Sequence, residues 1–126
     1  MILADTSVWI DFFRDKPETR LLRALLHEEN VAIHSWIIGE LMMGDLSPCR
    51  TKILEQVNLL SSVPVYPVDE LSHFVEKEKL YGHGLSLVDV QLLYASIVTD
   101  SPLWTLDKAL KRMATKYGVG FGGLVT

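Results

Sequence analysis

A single cysteine, Cys49, among 126 residues excludes an internal disulfide and with it the small scaffolds held together by such bridges. Structural zinc is excluded on similar grounds. One thiol is too few, and His27, His34, His73 and His83 show neither HxxxH nor HxxEH spacing. No apolar run approaches the ~18 residues of a membrane span. A secretory leader is not expected either, because Asp5 and Asp11 interrupt the apolar N-terminus and no basic segment precedes it. These absences point to a cytoplasmic protein. Positive charge is also scarce: 12 Lys and Arg stand against 16 Asp and Glu, a net charge of −4. That argues against a protein that holds nucleic acid over a broadly basic surface and restricts any such role to a local patch.

Hydrophobic residues make up 48% of the chain and charged residues 22%, the balance of a protein with a real core. With no repeat, linker or low-complexity stretch, residues 1–126 read as one domain. Short apolar runs alternate with amphipathic segments. Met1 to Ala4, Val31 to Ile33 and Leu103 to Leu106 read as buried strands, Val63 to Val68 as an edge strand interrupted by Pro64 and Pro67, and Val119 to Val125 as a final one. Helices are expected over Val8–Arg14, over Glu18–Glu29, after a Ser35 cap, from Ser47-Pro48 to about Ser61, from Asp69 or Ser72 to Tyr81, after a Ser86 cap, and from Asp107 to the Gly118 cap. Strands alternating with helices imply right-handed crossovers and a parallel sheet covered on both faces, an α/β sandwich.

Asp5 and Asp107 share a place in that pattern. Each ends a short buried strand just before a helix, at the edge where open α/β sheets form their sites. Glu40 lies in the helix after the second strand, and Asp89 lies near the start of LSLVDVQLLYASIV. Four carboxylates gathered there would repel by about 4 kcal/mol for each pair held at ~4 Å with an effective dielectric near 20. A divalent cation relieves that repulsion. With only oxygen donors on offer, Mg²⁺ or Mn²⁺ is expected over zinc, and the chemistry implied is phosphodiester hydrolysis.

The segments ILADTSVWIDFFR, SWIIGELMMGD, GLSLVDVQLLYAS and LWTLDKALKR, in that order, resemble the four acidic motifs of PIN-domain ribonucleases, above all the VapC-type toxins of toxin–antitoxin pairs. The resemblance covers essentially the whole chain. It implies a PIN-like three-layer sandwich, with a short central, mainly parallel sheet flanked by helices. It also implies Asp5, Glu40, Asp89 and Asp107 as the catalytic, metal-binding acids. Ser7 and Thr105 take the hydroxyl positions beside the first and fourth acids, which orient a ligand or water. The implied activity is a Mg²⁺- or Mn²⁺-dependent endoribonuclease that leaves 5′-phosphate and 3′-hydroxyl ends. The implied partners are RNA, an antitoxin protein and a second copy of the chain. The sequence departs from many relatives in having Lys108, Ala109 and Leu110 where an acid or aromatic follows the fourth aspartate, and in Gln91, which reads as facing solvent.

Local structure offers other roles for the same residues. Ser86 to Asp89 fits a capping box, and Asp5 and Asp107 fit N-caps. Glu40 has no such role, and among Ile37, Ile38, Leu41 and Met42 an unpaired glutamate would cost several kcal/mol if buried. Lys108, Lys111, Arg112 and Lys116 form a positive stripe that suits RNA phosphates or a solvated helix face. Trp9, Phe12 and Phe13, with Leu21, Leu22, Leu25 and Leu26, suit either core packing or the antitoxin groove that the resemblance implies. Two other functions stay open: a catalytically silent binding scaffold of the same fold and, more weakly, a receiver-like or phosphatase-like domain. The latter lacks the DxD after the first strand.

Overall fold

The computed structural model describes residues 1–122. Its four strands are β1 (Ile2–Ala4), β2 (Val31–Ile33), β3 (Ser61–Ser62) and β4 (Leu103–Trp104), all parallel and arranged in the order β3-β2-β1-β4. Parallel strands need helical crossovers. Helices α1 (Thr6–Phe13) and α2 (Leu21–His27) connect β1 to β2. Helices α3 (Ser35–Met42) and α4 (Arg50–Val57) lead to β3, and α5 (Val68–Glu78) and α6 (Leu87–Thr99) lead to β4. Helix α7 (Lys108–Lys116) follows the last strand.

The chain steps outward from β1 through β2 to β3, then crosses back to lay β4 on the other side of β1. Right-handed crossovers in opposite directions put helices on opposite faces. In keeping with this, α1, α3 and α4 pack together, as do α5, α6 and α7. This is the three-layer α/β arrangement. The reversal also makes the crevice between the C-terminal ends of β1 and β4 the switch point, where ligands bind in such sheets. Residues Leu3, Ala4, Ile33 and Leu103 are essentially inaccessible, as expected of strands covered on both faces.

Several boundaries differ from the sequence reading. The third strand is the exposed pair Ser61–Ser62, not Val63 to Val68. Pro64 and Pro67 cannot donate to a ladder, so pairing stops before them, and Val63 is instead buried in the core. The segment from Glu18 is a 3₁₀ turn at Pro17–Thr19 followed by a shorter α2. Helix α4 begins at Arg50, after Pro48, and α5 begins at Val68. Of the expected last strand, Gly120 bridges Leu103, while residues 123–126 lie outside the described part.

His34, not Ser35, caps α3: its Nδ1 accepts the Trp36 N–H at 2.9 Å. That bond places the proton of the neutral ring on Nε2, in a fully buried site. Burial lowers the imidazole pKa from 6.5, and the nearby Gln91 carboxamide opposes this only in part. Between the folded and ordinary values the unfolded chain holds more protons than the folded one. His34 therefore withdraws stability as pH falls through 6.5 toward its folded value. Replacing His34 with Asn, which keeps a capping acceptor, is expected to flatten the melting temperature below pH 6.5, which thermal melts across pH 5 to 8 would show.

Candidate active site at the β1/β4 crevice

Asp5 follows β1 and caps α1, its Oδ1 accepting the N–H of Ser7 at 3.0 Å and of Val8 at 3.4 Å. Ser7 Oγ donates to the same oxygen at 2.5 Å, and Thr105 Oγ1 donates to Oδ2 at 2.5 Å. Only 6% of the residue is exposed, and burial raises the carboxyl pKa above 3.8, with the Ser7 and Thr105 hydroxyls pulling the other way. A buried carboxylate supplied with hydroxyls and amides, but with no cation, remains electrostatically incomplete.

The same hydroxyls reach the second acid. Thr105 Oγ1 accepts the Asp107 N–H at 3.0 Å, and Ser7 Oγ accepts the Leu106 N–H at 3.1 Å. These bonds fasten the turn after β4 to the start of α1 across the switch point. Asp107 then caps α7, its Oδ2 accepting the Leu110 N–H at 2.8 Å, with its side chain toward solvent. Asp5, Ser7, Thr105 and Asp107 are thus one connected group.

Glu40 joins through Thr6, the residue after Asp5, whose hydroxyl donates to Glu40 Oε1. The burial cost that the apolar neighbours of Glu40 would impose does not arise: Glu40 is exposed, because α3 buries Ile37 and Leu41 and turns Glu40 to the rim. Asp89 is half-buried and closes a capping box, its Oδ2 accepting the Ser86 N–H at 3.0 Å while its own N–H reaches Ser86 Oγ at 3.1 Å. It has no hydrogen bond to the other three acids. The loop leading to Asp89 lies beside α7, since a Cβ on Gly84 would stand 3.8 Å from that of Ala109.

All three aspartates therefore perform the local capping that their sequence context suggested, and Asp5 and Asp107 do so at the ends of β1 and β4. Among the described residues the one ion pair is Arg20 with Asp15, so none of the four acids has a Lys or Arg partner. Oxygen donors without a counter-charge suit a hard divalent cation. Each carboxylate is turned onto a hydroxyl or N–H of its own surroundings, and among the described residues no group of three or more Asp, Glu, His or Cys is arranged to hold a metal ion. The donor chemistry fits the cation; Glu40 and Asp107, both exposed, are the side chains with freedom to turn.

Gln91 was missed. It is fully buried rather than facing solvent, and it clamps the backbone of Tyr66, accepting its N–H at 2.8 Å and donating to its carbonyl at 3.0 Å. An isolated polar residue on the inner face of an apolar helix was the available signal. The clamp fixes the segment that replaces the expected edge strand against α6, two residues from Asp89.

A parallel sheet with strand order 3-2-1-4, with Asp5 and Asp107 linked across its switch point and Glu40 tied in through Thr6, places the chain in a known class. The family model for the PIN domain matches residues 2–116, and the protein belongs to that family. It is 38% identical over 120 residues to Ribonuclease VapC32 of Mycobacterium tuberculosis, in each of two strains, with 94% of both chains covered. The fold is also similar to that in the crystal structure of PAE2754 from Pyrobaculum aerophilum, with a TM-score of 0.65 and 18% identity, over 95% of this chain and 87% of that one.

Proposed function

We propose that this PIN-domain protein is a divalent-metal-dependent endoribonuclease and the toxin of a VapC-type toxin–antitoxin pair. The observation that carries the reading is the buried Asp5 carboxylate, joined through shared hydroxyls to Asp107 and flanked by Glu40, with no cation of the protein's own. Asp5, Glu40, Asp89 and Asp107 would hold Mg²⁺, or Mn²⁺ in its place. When bound, that ion supplies charge neutralisation for the phosphate and activation of water at neutral pH.

The chain's own residues do the rest. Thr105 and Ser7 hold the Asp5 carboxylate in one orientation, each donating to one of its two oxygens. The exposed N-termini of α6 and α7 present positive dipole ends to a phosphate. Water attacking phosphorus in line with the departing 3′ oxygen leaves a 5′-phosphate and a 3′-hydroxyl.

Helix α7 buries Leu110, Met113 and Ala114 and exposes Lys108, Lys111, Arg112 and Lys116, the RNA contacts in this reading. None of the four is paired with an acid among the described residues, although the Lys116 ammonium lies over the Tyr117 ring at 5.8 Å. Replacing Arg112 with Ala is expected to weaken binding of all single-stranded sequences alike and to lower the salt slope of log K by about 0.7 for the lost phosphate contact. A fluorescence titration at several salt concentrations reads this directly.

The antitoxin reading rests on a cleft of about 250 Å³ between α1, α2 and α4, lined by Phe12, Phe13, Leu26, Ile53 and Val57. Trp9, Leu22 and Leu25 belong mainly to the core beneath it. The reading as a whole is tested by incubating end-labelled RNA with refolded protein in Mg²⁺, Mn²⁺ or chelator, beside Asp89→Asn. Discrete fragments that need the cation and vanish in the variant are expected; uncut RNA would favour a silent scaffold.

A further inference from the structure

A second cavity, of about 520 Å³, opens beside Glu40 between α1, α3, α4 and the loop 43–49. That is the size range of small-molecule sites. Its composition differs from that of the apolar cleft. Phe13, Leu41 and Ile53 supply flat apolar wall, while Arg14, Asp45 and Glu40 stand in the same lining. Charges of both signs share one cavity, yet no ion pair joins them among the described residues.

Neither Arg14 nor Asp45 has an ion-pair partner among the described residues. Arg50, whose charge acts on Asp45, has its guanidinium occupied by the carbonyls of Gly44 at 3.0 Å and Met42 at 2.5 Å, which brace the loop carrying Asp45. Asp45 accepts the Ser47 N–H through Oδ1 at 3.0 Å. Hydrogen bonds from Ser47 and, in smaller part, the Arg50 charge hold its carboxyl below 3.8, so it is an anion at neutral pH.

We propose that this cavity seats a guanine base of the RNA, next to the phosphate that is cut, with Asp45 and Arg14 reading two of its edges. The inference rests on the ribonuclease reading and specifies its substrate. Guanine alone among the four bases places two adjacent N–H donors, N1 and N2, on its Watson–Crick edge, where a carboxylate accepts them. Its O6 and N7 are the acceptor pair that an arginine fork fits. Single-stranded RNA, whose bases can be splayed out of the stack, is the form that reaches such a pocket. Glu40 in the same lining ties the pocket to the cleavage site.

The test is cut-site mapping on a random-sequence single-stranded RNA pool, followed by kinetics on a short RNA containing one preferred site. Cuts are expected to share guanosine at one fixed position beside the cleaved bond. Inosine there, which lacks the N2 amino group, should lower kcat/KM by about 10-fold or more in the parent and little in Asp45→Asn. Replacing N7, with 7-deazaguanosine, should do the same in the parent and little in Arg14→Lys. Because each ratio compares two RNAs on one protein, a partly unfolded variant does not change it. Cut sites without a fixed guanosine, or variants that keep the parental ratios, overturn the proposal. So do variants that cleave normally and lose only inhibition by the antitoxin, which would assign the cavity to that partner. RNA left uncut by the parent removes the ribonuclease reading and the pocket with it.

Discussion

Asp5→Asn is expected to abolish RNA cleavage, by roughly 10³-fold or more, while raising the melting temperature of the metal-free protein. The two effects share one cause. Asp5 is buried with its folded pKa above 3.8. The folded state therefore holds a proton more tightly than the unfolded state, and stability falls as pH rises from 3.8 through the folded value. At neutral pH the ionised carboxylate is a net cost that asparagine removes. Asparagine caps α1 about as well, because its side-chain oxygen still accepts the Ser7 and Val8 N–H groups. The stability gain should shrink as pH approaches 3.8, where the wild-type carboxyl is protonated. Each kcal/mol gained corresponds to roughly 4 °C in a chain of this size. Calorimetric melts in chelator at pH 7 and pH 4, beside a cleavage assay, measure both effects. A variant that melts lower than the parent at pH 7 would make capping the main task of Asp5.

Thr105→Val is expected to do the opposite to stability while also impairing cleavage. Its hydroxyl is buried, donates to Asp5 Oδ2 and accepts the Asp107 N–H, so one isosteric change leaves two polar groups short of a partner. A buried group left so costs about 1–3 kcal/mol. The loss of the tie between Asp5 and the turn before α7 should lower kcat by about 10- to 100-fold, as for other residues that orient metal ligands. Serine at the same position keeps the hydroxyl and should restore most of the cleavage, whereas a purely steric role for Thr105 would leave Thr105→Ser as impaired as the valine. Urea denaturation and single-turnover cleavage separate the two effects.

Much of this arrangement was legible in the sequence because the switch point is made by short, self-announcing segments. ILAD and LWTLD each spell a buried strand ending on an acid, and two such endings on neighbouring parallel strands must meet. The capping alternatives were also correct. A carboxylate at the end of a strand is well placed to cap the next helix, and Asp5 and Asp107 do so beside the crevice between β1 and β4.

The failures arose where tertiary contacts override local pattern. Val63 and Val65 look like a strand, but prolines at 64 and 67 leave too few donors, and the sheet uses Ser61 and Ser62 instead. Gln91 could not be placed because its partner, the backbone of Tyr66, lies 25 residues away. The cavity beside Glu40 was likewise invisible, since its walls come from three helices and a loop that no linear motif connects.

The ends of the RNA fragments test the central claim most directly. Fragments made by refolded protein in Mg²⁺ would be probed for terminal phosphates, with Asp5→Asn treated in parallel. Water attack at the β1/β4 crevice predicts 5′-phosphate and 3′-hydroxyl ends, produced only with a divalent cation and not by the variant. Fragments ending in 2′,3′-cyclic phosphate, or cleavage that persists in chelator, would mean that the ribose hydroxyl attacks and that the four acids are not the site.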